Sequence, residues 1–291
     1  MEKAKFGVAG LPVHFFEQKR KREKIFEWLE NLNLDVIELQ CTYGIRMKEE
    51  QALLYKELAD KHHIMMTIHA PYYVCLGSIK KETVERSKLE IKKAYELAKL
   101  LGVTRIIFHP GGGYQNRKDG LEQLIHALNE IAPDLDPMIH LYPEIGGKVA
   151  QLGSLDEIIE ICKRVPIAYP CIDLAHLHAR EIGSMTSKEK ILEVFDKIER
   201  ELGKEKLLET HFHVYPVDYT EKGEKIHKAF GDKKEEMQLS LFEEDMDYYP
   251  KAEDYIAAVK EKGLTPITIC EAHNTQDTGA ILMKSLYEKE S

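Results

Sequence analysis

The feature that most constrains this chain is an alternation. Short β-branched runs are followed by longer amphipathic segments, and the pair recurs eight times across 291 residues, roughly 36 residues per unit as in α/β barrels. Parallel strands joined by crossover helices produce this pattern. Eight units predict an α/β fold in which one sheet closes on itself, a single (β/α)8 TIM barrel. Strands are expected at 5–9, 35–39, 64–68, 104–108, 138–142, 170–174, 210–214 and 266–270. Between them, helices with apolar residues at i, i+3 and i+4 are expected at 21–32, 48–62, 82–101, 120–132, 154–164, 187–202, 251–262 and 274–288. The Ser-Leu-Asp-Glu run at Ser154 reads as a helix cap with a carboxylate three positions on. Gly102, Gly203 and Gly263 read as left-handed helix ends.

No Ser/Gly-rich linker or shift in composition divides the chain, so one domain over 1–291 is expected. A long charged connection interrupts it at about 215–249, and its acidic part, 243–247, reads as solvated surface. Hydrophobic residues make up 43% of the chain, which is enough for a sizeable core. A net charge of -9 argues against a protein that coats nucleic acid generally, and leaves room only for a local cationic groove. No stretch resembles a signal sequence or a run of about 18 apolar residues. Five cysteines are scattered without a C-x-x-C pair, unlike a disulfide framework or a thiolate zinc site. A cytoplasmic monomer without membrane association is expected.

The active site of such a barrel lies at the C-terminal ends of its strands, and the residues found there form a consistent set. Strand three ends in His69 of His-Ala-Pro-Tyr, strand four in His109 of His-Pro-Gly-Gly-Gly, and strand five in Glu144 of Pro-Glu-Ile-Gly-Gly-Lys. Strand six supplies Asp173 and His176, strand seven His211 of His-Phe-His, and strand eight Glu271. A lone strand-end histidine is usually a hydrogen-bonded barrel residue. Six successive strand ends carrying His, Asp or Glu point instead to shared chemistry. Imidazole and carboxylate donors without thiolates suit Zn²⁺, Mn²⁺ or Fe²⁺, and their number suits two or three ions. A carboxylate such as Glu144 can bridge two metals, an arrangement that serves phosphoester hydrolysis. His213 shares a strand face with His211 and can substitute for it. His140, His178 and His273 read as packing or supporting residues.

These motifs resemble the endonuclease IV family of the xylose isomerase-like barrel superfamily over nearly the whole chain. His-Ala-Pro-Tyr at 69–72, Phe-His-Pro-Gly at 108–111, Pro-Glu with Gly-Gly-Lys at 143–148, Asp173 with His176, His211 and Glu271 fall in that family's order. The resemblance implies a zinc enzyme that cuts DNA on the 5′ side of abasic sites. It implies that His69, His109 and Glu144 hold one zinc, and that Asp173, His211, Glu271 and the shared Glu144 hold a second. A third zinc would need His176 and an Asp-x-His. His227 supplies the histidine, but the position two before it is Lys225, so either the adjacent Glu224 serves or the third site is missing or held differently. Glu144 and Glu271 are the candidate catalytic residues. Tyr72 and Arg46, in loops at the barrel mouth, are candidates to touch unpaired bases and phosphates; Lys148 and Arg180 are further phosphate candidates.

The same superfamily contains sugar isomerases and epimerases, whose one divalent metal is held by a Glu, Asp, His, Glu set. Glu144, Asp173, His211 and Glu271 meet that pattern too. A small sugar is therefore the alternative substrate, with Glu144 and Glu271 as acid and base. A barrel that binds metal without catalysing is a third class. His69, His109 and His227 tilt the choice to the nuclease, because a one-metal sugar site does not require them.

Overall fold

The computed structural model describes residues 3–234 and 246–289; of the acidic stretch 243–247, residues 243–245 lie outside the described residues. In chain order the strands are β1 (Lys5–Ala9), β2 (Val36–Gln40), β3 (Met65–His69), β4 (Arg105–Phe108), β5 (His140–Pro143), β6 (Cys171–Asp173), β7 (His211–His213), β8 (Val217–Thr220), β9 (Gly223–His227) and β10 (Ile267–Cys270). Eight of them form a parallel sheet in the order β5-β4-β3-β2-β1-β10-β7-β6. Two single bridges, Leu141 to Ala168 and Glu144 to Cys171, join its edges and bring the barrel to near closure. β8 and β9 form a separate antiparallel hairpin.

The helices are α1 (Val13–Glu17), α2 (Ile25–Asn31), α3 (Glu49–Lys61), α4 (Lys81–Leu101), α5 (Arg117–Ile131), α6 (Leu155–Arg164), α7 (Leu174–Arg180), α8 (Lys188–Leu202), α9 (Lys204–Leu208), α10 (Ala252–Lys262) and α11 (Gln276–Glu288). The reciprocal cap of α6 forms: Ser154 Oγ accepts from Glu157 N at 3.3 Å, and Glu157 Oε2 accepts from Ser154 N at 2.9 Å. Gly102 and Gly263 end their helices in the left-handed conformation. Gly203 does not. Its φ of 87° comes with a ψ of 163°, because the chain turns there directly into α9 instead of closing a Schellman-type end. α5 starts before the expected 120, because Asn116 caps it by accepting from Lys118 N at 2.9 Å.

Strand side chains alternate between two environments. Phe6, Val8, Ile37, Ile68, Ile106, Phe108, Leu141, Ile172, Phe212 and Cys270 pack in the main core between sheet and helices. Small separate clusters, Val36 with Ile267 and Ile269, and Ile107 with Tyr142 and Cys171, fill the barrel lumen. Two residues further along the same strands, the lumen turns polar: Glu38, Asp173, His213 and Glu271 follow Val36, Cys171, His211 and Ile269 by the period of two. The apolar clusters form a floor below these polar side chains.

Candidate metal centre

Glu144 stands at the centre. It follows β5 and is buried, and its two oxygens face different imidazoles. Oε2 lies 2.8 Å from His69 Nε2 and 3.3 Å from His109 Nδ1. Oε1 lies 3.1 Å from His213 Nδ1 and 3.4 Å from His176 Nδ1. Two donor groups thus share one carboxylate: His69, His109 and Glu144 on one side, Glu144, Asp173 and His213 on the other. Glu271 adjoins the second, its Oε1 3.8 Å from His213 Nδ1. Asp173 is held by Tyr215, whose hydroxyl donates to Oδ2 at 2.9 Å, and it caps α7 by accepting from His176 N at 2.7 Å.

The β7 pair divides. His213, at the strand end, reaches Glu144, Asp173 and Glu271. His211, the residue expected among the ligands, lies deeper in the lumen and turns Nε2 to Glu38 Oε2 at 3.1 Å. Register explains this: Asp173 pairs with His213, and Cys171 with His211, so only His213 is level with the other strand ends.

A third group forms where β9 meets α7. His176 Nε2 is 3.5 Å from Glu224 Oε2, and His227 Nε2 is 3.2 Å from Glu224 Oε1. Three residues apart, Glu224 and His227 would face opposite ways on a regular strand. The hairpin register shifts here, Tyr219 opposing Glu224 and Asp218 opposing Ile226, which leaves Lys225 as the extra residue of a bulge. Lys225 turns outward to Asp218 at 2.8 Å. The hairpin can approach because Gly147 has no side chain: a Cβ there would lie 2.6 Å from both Glu224 Oε2 and His176 Cδ2.

The electrostatics are those of a cation-binding pocket. Burial pushes the Asp173 carboxyl up to about 7; the imidazoles of His176 and His213 oppose this, and Glu144 and Glu271 reinforce it. Burial alone would depress His69, but its hydrogen bond to Glu144 carries it up to about 9. Desolvation takes His109 down to about 4. His176 and His213 lie well above the usual imidazole range, where the carboxylates outweigh burial. Among the described residues no Lys or Arg pairs with Glu144, Asp173 or Glu271, so neighbouring imidazoles and the raised Asp173 carboxyl itself carry the balancing protons. Buried carboxylates balanced by displaceable protons, with nitrogen and oxygen donors converging, fit divalent cations.

The remaining expectations fall at different distances from this centre. Tyr72 is 59% exposed at the rim and meets the equally prominent Tyr43 edge-on at 6.1 Å. Arg46 lines a cleft of about 460 Å³ beside Gln40, Gly10 and Arg22. Arg180, considered a phosphate contact, is buried instead and donates to the carbonyls of Gly146, Lys148 and Gln151 at 2.5–2.7 Å, clamping the loop after β5. Lys148 is exposed and donates to the Glu224 carbonyl. Glu38 and Gln40 escaped the sequence reading. Their available signal was an acid and an amide at lumen-facing positions of an otherwise apolar strand.

A parallel barrel that gathers carboxylates and imidazoles from successive strand ends, with several groups placed as candidate metal ligands, defines a class of (β/α)8 proteins. Within it, the chain belongs to the xylose isomerase-like TIM barrel family, whose profile matches residues 26–287. Over 289 residues the chain is 30% identical to an uncharacterised protein of Methanocaldococcus jannaschii, covering 97% of each. It is 26% identical over 183 residues to a probable endonuclease 4 of Thermotoga maritima, covering 58% of this chain and 62% of that one. Among solved structures, endonuclease IV from Thermus thermophilus superposes with a TM-score of 0.68 at 17% identity, covering 98% of this chain and all (100%) of that one. A D-tagatose 3-epimerase-like protein superposes with a TM-score of 0.69 at 19% identity, covering 98% and 97%. At these identities the two superpositions show the fold alone. No helix among the described residues is long and apolar enough to cross a membrane.

Proposed function

We propose that this protein is a metal-dependent phosphodiester hydrolase of the endonuclease IV type, incising DNA 5′ to abasic sites, with two or three zinc ions as its cofactor. The observation that carries the reading is the number and kind of donors. Beside the Glu144, Asp173, His213 and Glu271 set, which would suffice for one metal, stand two further groups, His69 with His109 and His176 with Glu224 and His227. A one-metal sugar site has no use for four additional imidazoles.

His69, His109 and Glu144 would hold one cation; Glu144, Asp173, His213 and Glu271 a second; His176, Glu224 and His227 a third. When bound, such cations polarise phosphoryl oxygens and acidify water. The chain's own residues do the rest. Glu144 divides its oxygens between the first two groups and fixes their spacing. Tyr215 holds Asp173 and packs its ring 4.1 Å from that of His227, so the second and third groups are aligned by one side chain. Glu271, less buried than Glu144 and Asp173, faces the mouth from the end of β10 and can orient water there or accept a proton.

Two rim features suit a nucleic acid. Tyr43, Tyr72 and Tyr73 form an exposed edge-to-face series with centroids 5.8–6.1 Å apart, a platform for stacking bases. The connection leaving the C-terminal end of β1 carries Lys19, Arg20, Lys21, Arg22 and Lys24, all exposed, in a chain whose net charge is -9. Such a local concentration of cations follows a phosphate backbone.

The test is incubation of purified protein with a duplex carrying one abasic analogue, before and after chelation, with bound metal counted per chain. Chelation-sensitive incision beside the lesion with two or more cations per chain is expected. One cation, no incision and turnover of free ketoses would replace this reading with the sugar epimerase.

A further inference from the structure

Beneath the metal centre lies a buried carboxylate that none of the three donor roles just described employs. Glu38, on β2, is fully buried in the lumen, and four side chains from three strands converge on it. Gln40 Nε2 donates to Oε1 at 3.0 Å, and Thr67 Oγ1 donates to Oε2 at 3.1 Å. His211 Nε2 lies 3.1 Å from Oε2, and His213 Nε2 makes its hydrogen bond to the same oxygen at 3.3 Å. Three of these groups crowd Oε2 and Gln40 takes Oε1, so the carboxylate is held from both sides. The two ring nitrogens that would accompany Glu38 in a cation site are turned on its own Oε2 instead.

These contacts fix what the Glu38-facing nitrogens of the two imidazoles must do. A ring nitrogen facing a carboxylate has to carry the proton, or two lone pairs oppose each other in a dry lumen. His213 Nε2 is therefore N–H, and with that edge of the ring committed to Glu38, Nδ1 is the atom His213 turns to the second donor group, 3.1 Å from Glu144 and 3.8 Å from Asp173 and Glu271. Gln40 extends the same control to another residue. Its amide nitrogen lies 3.0 Å from Glu38 and 3.2 Å from Glu271 Oε1, so one NH₂ group ties the buried carboxylate to the one at the mouth.

We propose that Glu38 is a positioning residue: it sets the tautomer of His213 and, through Gln40, the placement of Glu271, so that two of the four donors of the second group are organised from below. This rests on the metal-centre part of the proposed function and is independent of which substrate is cut. Carboxylates that receive the second N–H of a metal-bound histidine typically contribute 10–100-fold to metal affinity.

The experiment uses the full chain loaded with Zn²⁺. Long-range ¹H–¹⁵N correlation spectra of the histidine rings in the unmutated protein should show His213 protonated at Nε2 with Nδ1 bound to the cation. Competition with a chelator should then show Glu38→Gln losing 10–100-fold affinity for one cation, the others unchanged, and Glu38→Asp recovering part of that loss. A His213 proton on Nδ1 in the zinc-loaded protein overturns the proposal without any variant. So does a Glu38→Gln protein that folds and keeps every affinity, or one whose affinities all fall together with its thermal stability. An unmutated chain that retains no zinc would instead overturn the metal centre itself, a failure distinguishable from the others.

Discussion

His178 and His176 sit two residues apart on α7 yet have opposite chemistry. His176 faces carboxylates and is held protonated, whereas His178 is pushed down to about 4 by burial, with Lys234 adding to the effect. Its Nδ1 accepts from Met185 N at 3.0 Å, so protonation there would break the bond as well as bury a charge. The sign follows. The native value lies below the ordinary 6.5, so His178 contributes its full stability above about pH 6.5 and loses it as pH falls towards and through 4. The contribution is on the order of 3 kcal/mol. Urea unfolding from pH 7 to 4 should show this loss, and His178→Gln should flatten the slope in that window; an unchanged slope would refute the assignment. Much of the site at this scale was legible in the sequence, because a histidine or acid directly after an apolar run can be placed at a barrel mouth. The choice between His211 and His213 was not legible, since both share a face and only the pairing of Asp173 with His213 fixes which is level with Glu144. Glu38 was hidden for a related reason: the acid in Val-Ile-Glu-Leu-Gln is a signal, but only the pairing that sets His211 and His213 opposite it shows what it serves.

The hairpin after β7 shows what a connection can hide. Residues 223–227 read Gly-Glu-Lys-Ile-His, half exposed and without apolar alternation, so the pattern that disclosed the barrel strands is missing. The hairpin docks through Lys148 and Gly223, where glycine is required because a Cβ would lie 2.2 Å from the Gly147 carbonyl. Its bulge at Lys225 makes a specific prediction. Glu224→Gln should remove one cation per chain, measured by mass spectrometry of metals after desalting, whereas Lys225→Ala should leave the count unchanged because Lys225 faces Asp218. The reverse result would place the third group elsewhere. The β1–α2 connection makes another. Each phosphate contact contributes about 0.9 to the dependence of log affinity on log salt, so replacing Lys19, Arg20 and Lys21 with alanine should reduce that slope by about 2 to 3 for an abasic duplex. Incision at saturating duplex should be little changed. An unaltered slope, read by fluorescence anisotropy across a salt series, would mean that these cations are only a solvated face.

For the whole molecule, the candidate metal centre and the barrel's closure are one problem. Every neighbouring pair of barrel strands is joined by a continuous ladder except β5 and β6, which meet through single bridges. Only a few backbone bonds cross that seam, among them Leu141 N to the Ile167 carbonyl at 2.9 Å and Ile145 N to the Cys171 carbonyl at 3.2 Å. Glu144 and Asp173 stand on either side of it at the rim and belong to the same donor group. Without a cation, two buried carboxyl groups flank the weakest junction, and their repulsion is offset by imidazolium protons, the Tyr215 hydroxyl and the raised affinity of Asp173 for a proton. A cation shared between them would fasten β5 to β6 where the ladder is thinnest. Binding to the native state alone stabilises by about 4 kcal/mol at a thousandfold excess over the dissociation constant. At about 2–4 °C per kcal/mol for large domains, this predicts a melting temperature lower by on the order of 10 °C after chelation. The loss should also be local: hydrogen exchange at the Leu141 and Ile145 amides should accelerate more than at Met66 or Ile37, which lie in the continuous β2–β3 ladder. Scanning calorimetry and exchange mass spectrometry on metal-loaded and chelated protein test both parts. Uniform acceleration would mean that the cations stabilise the barrel without closing its seam, and an unchanged melting temperature after verified metal removal would mean that they do neither.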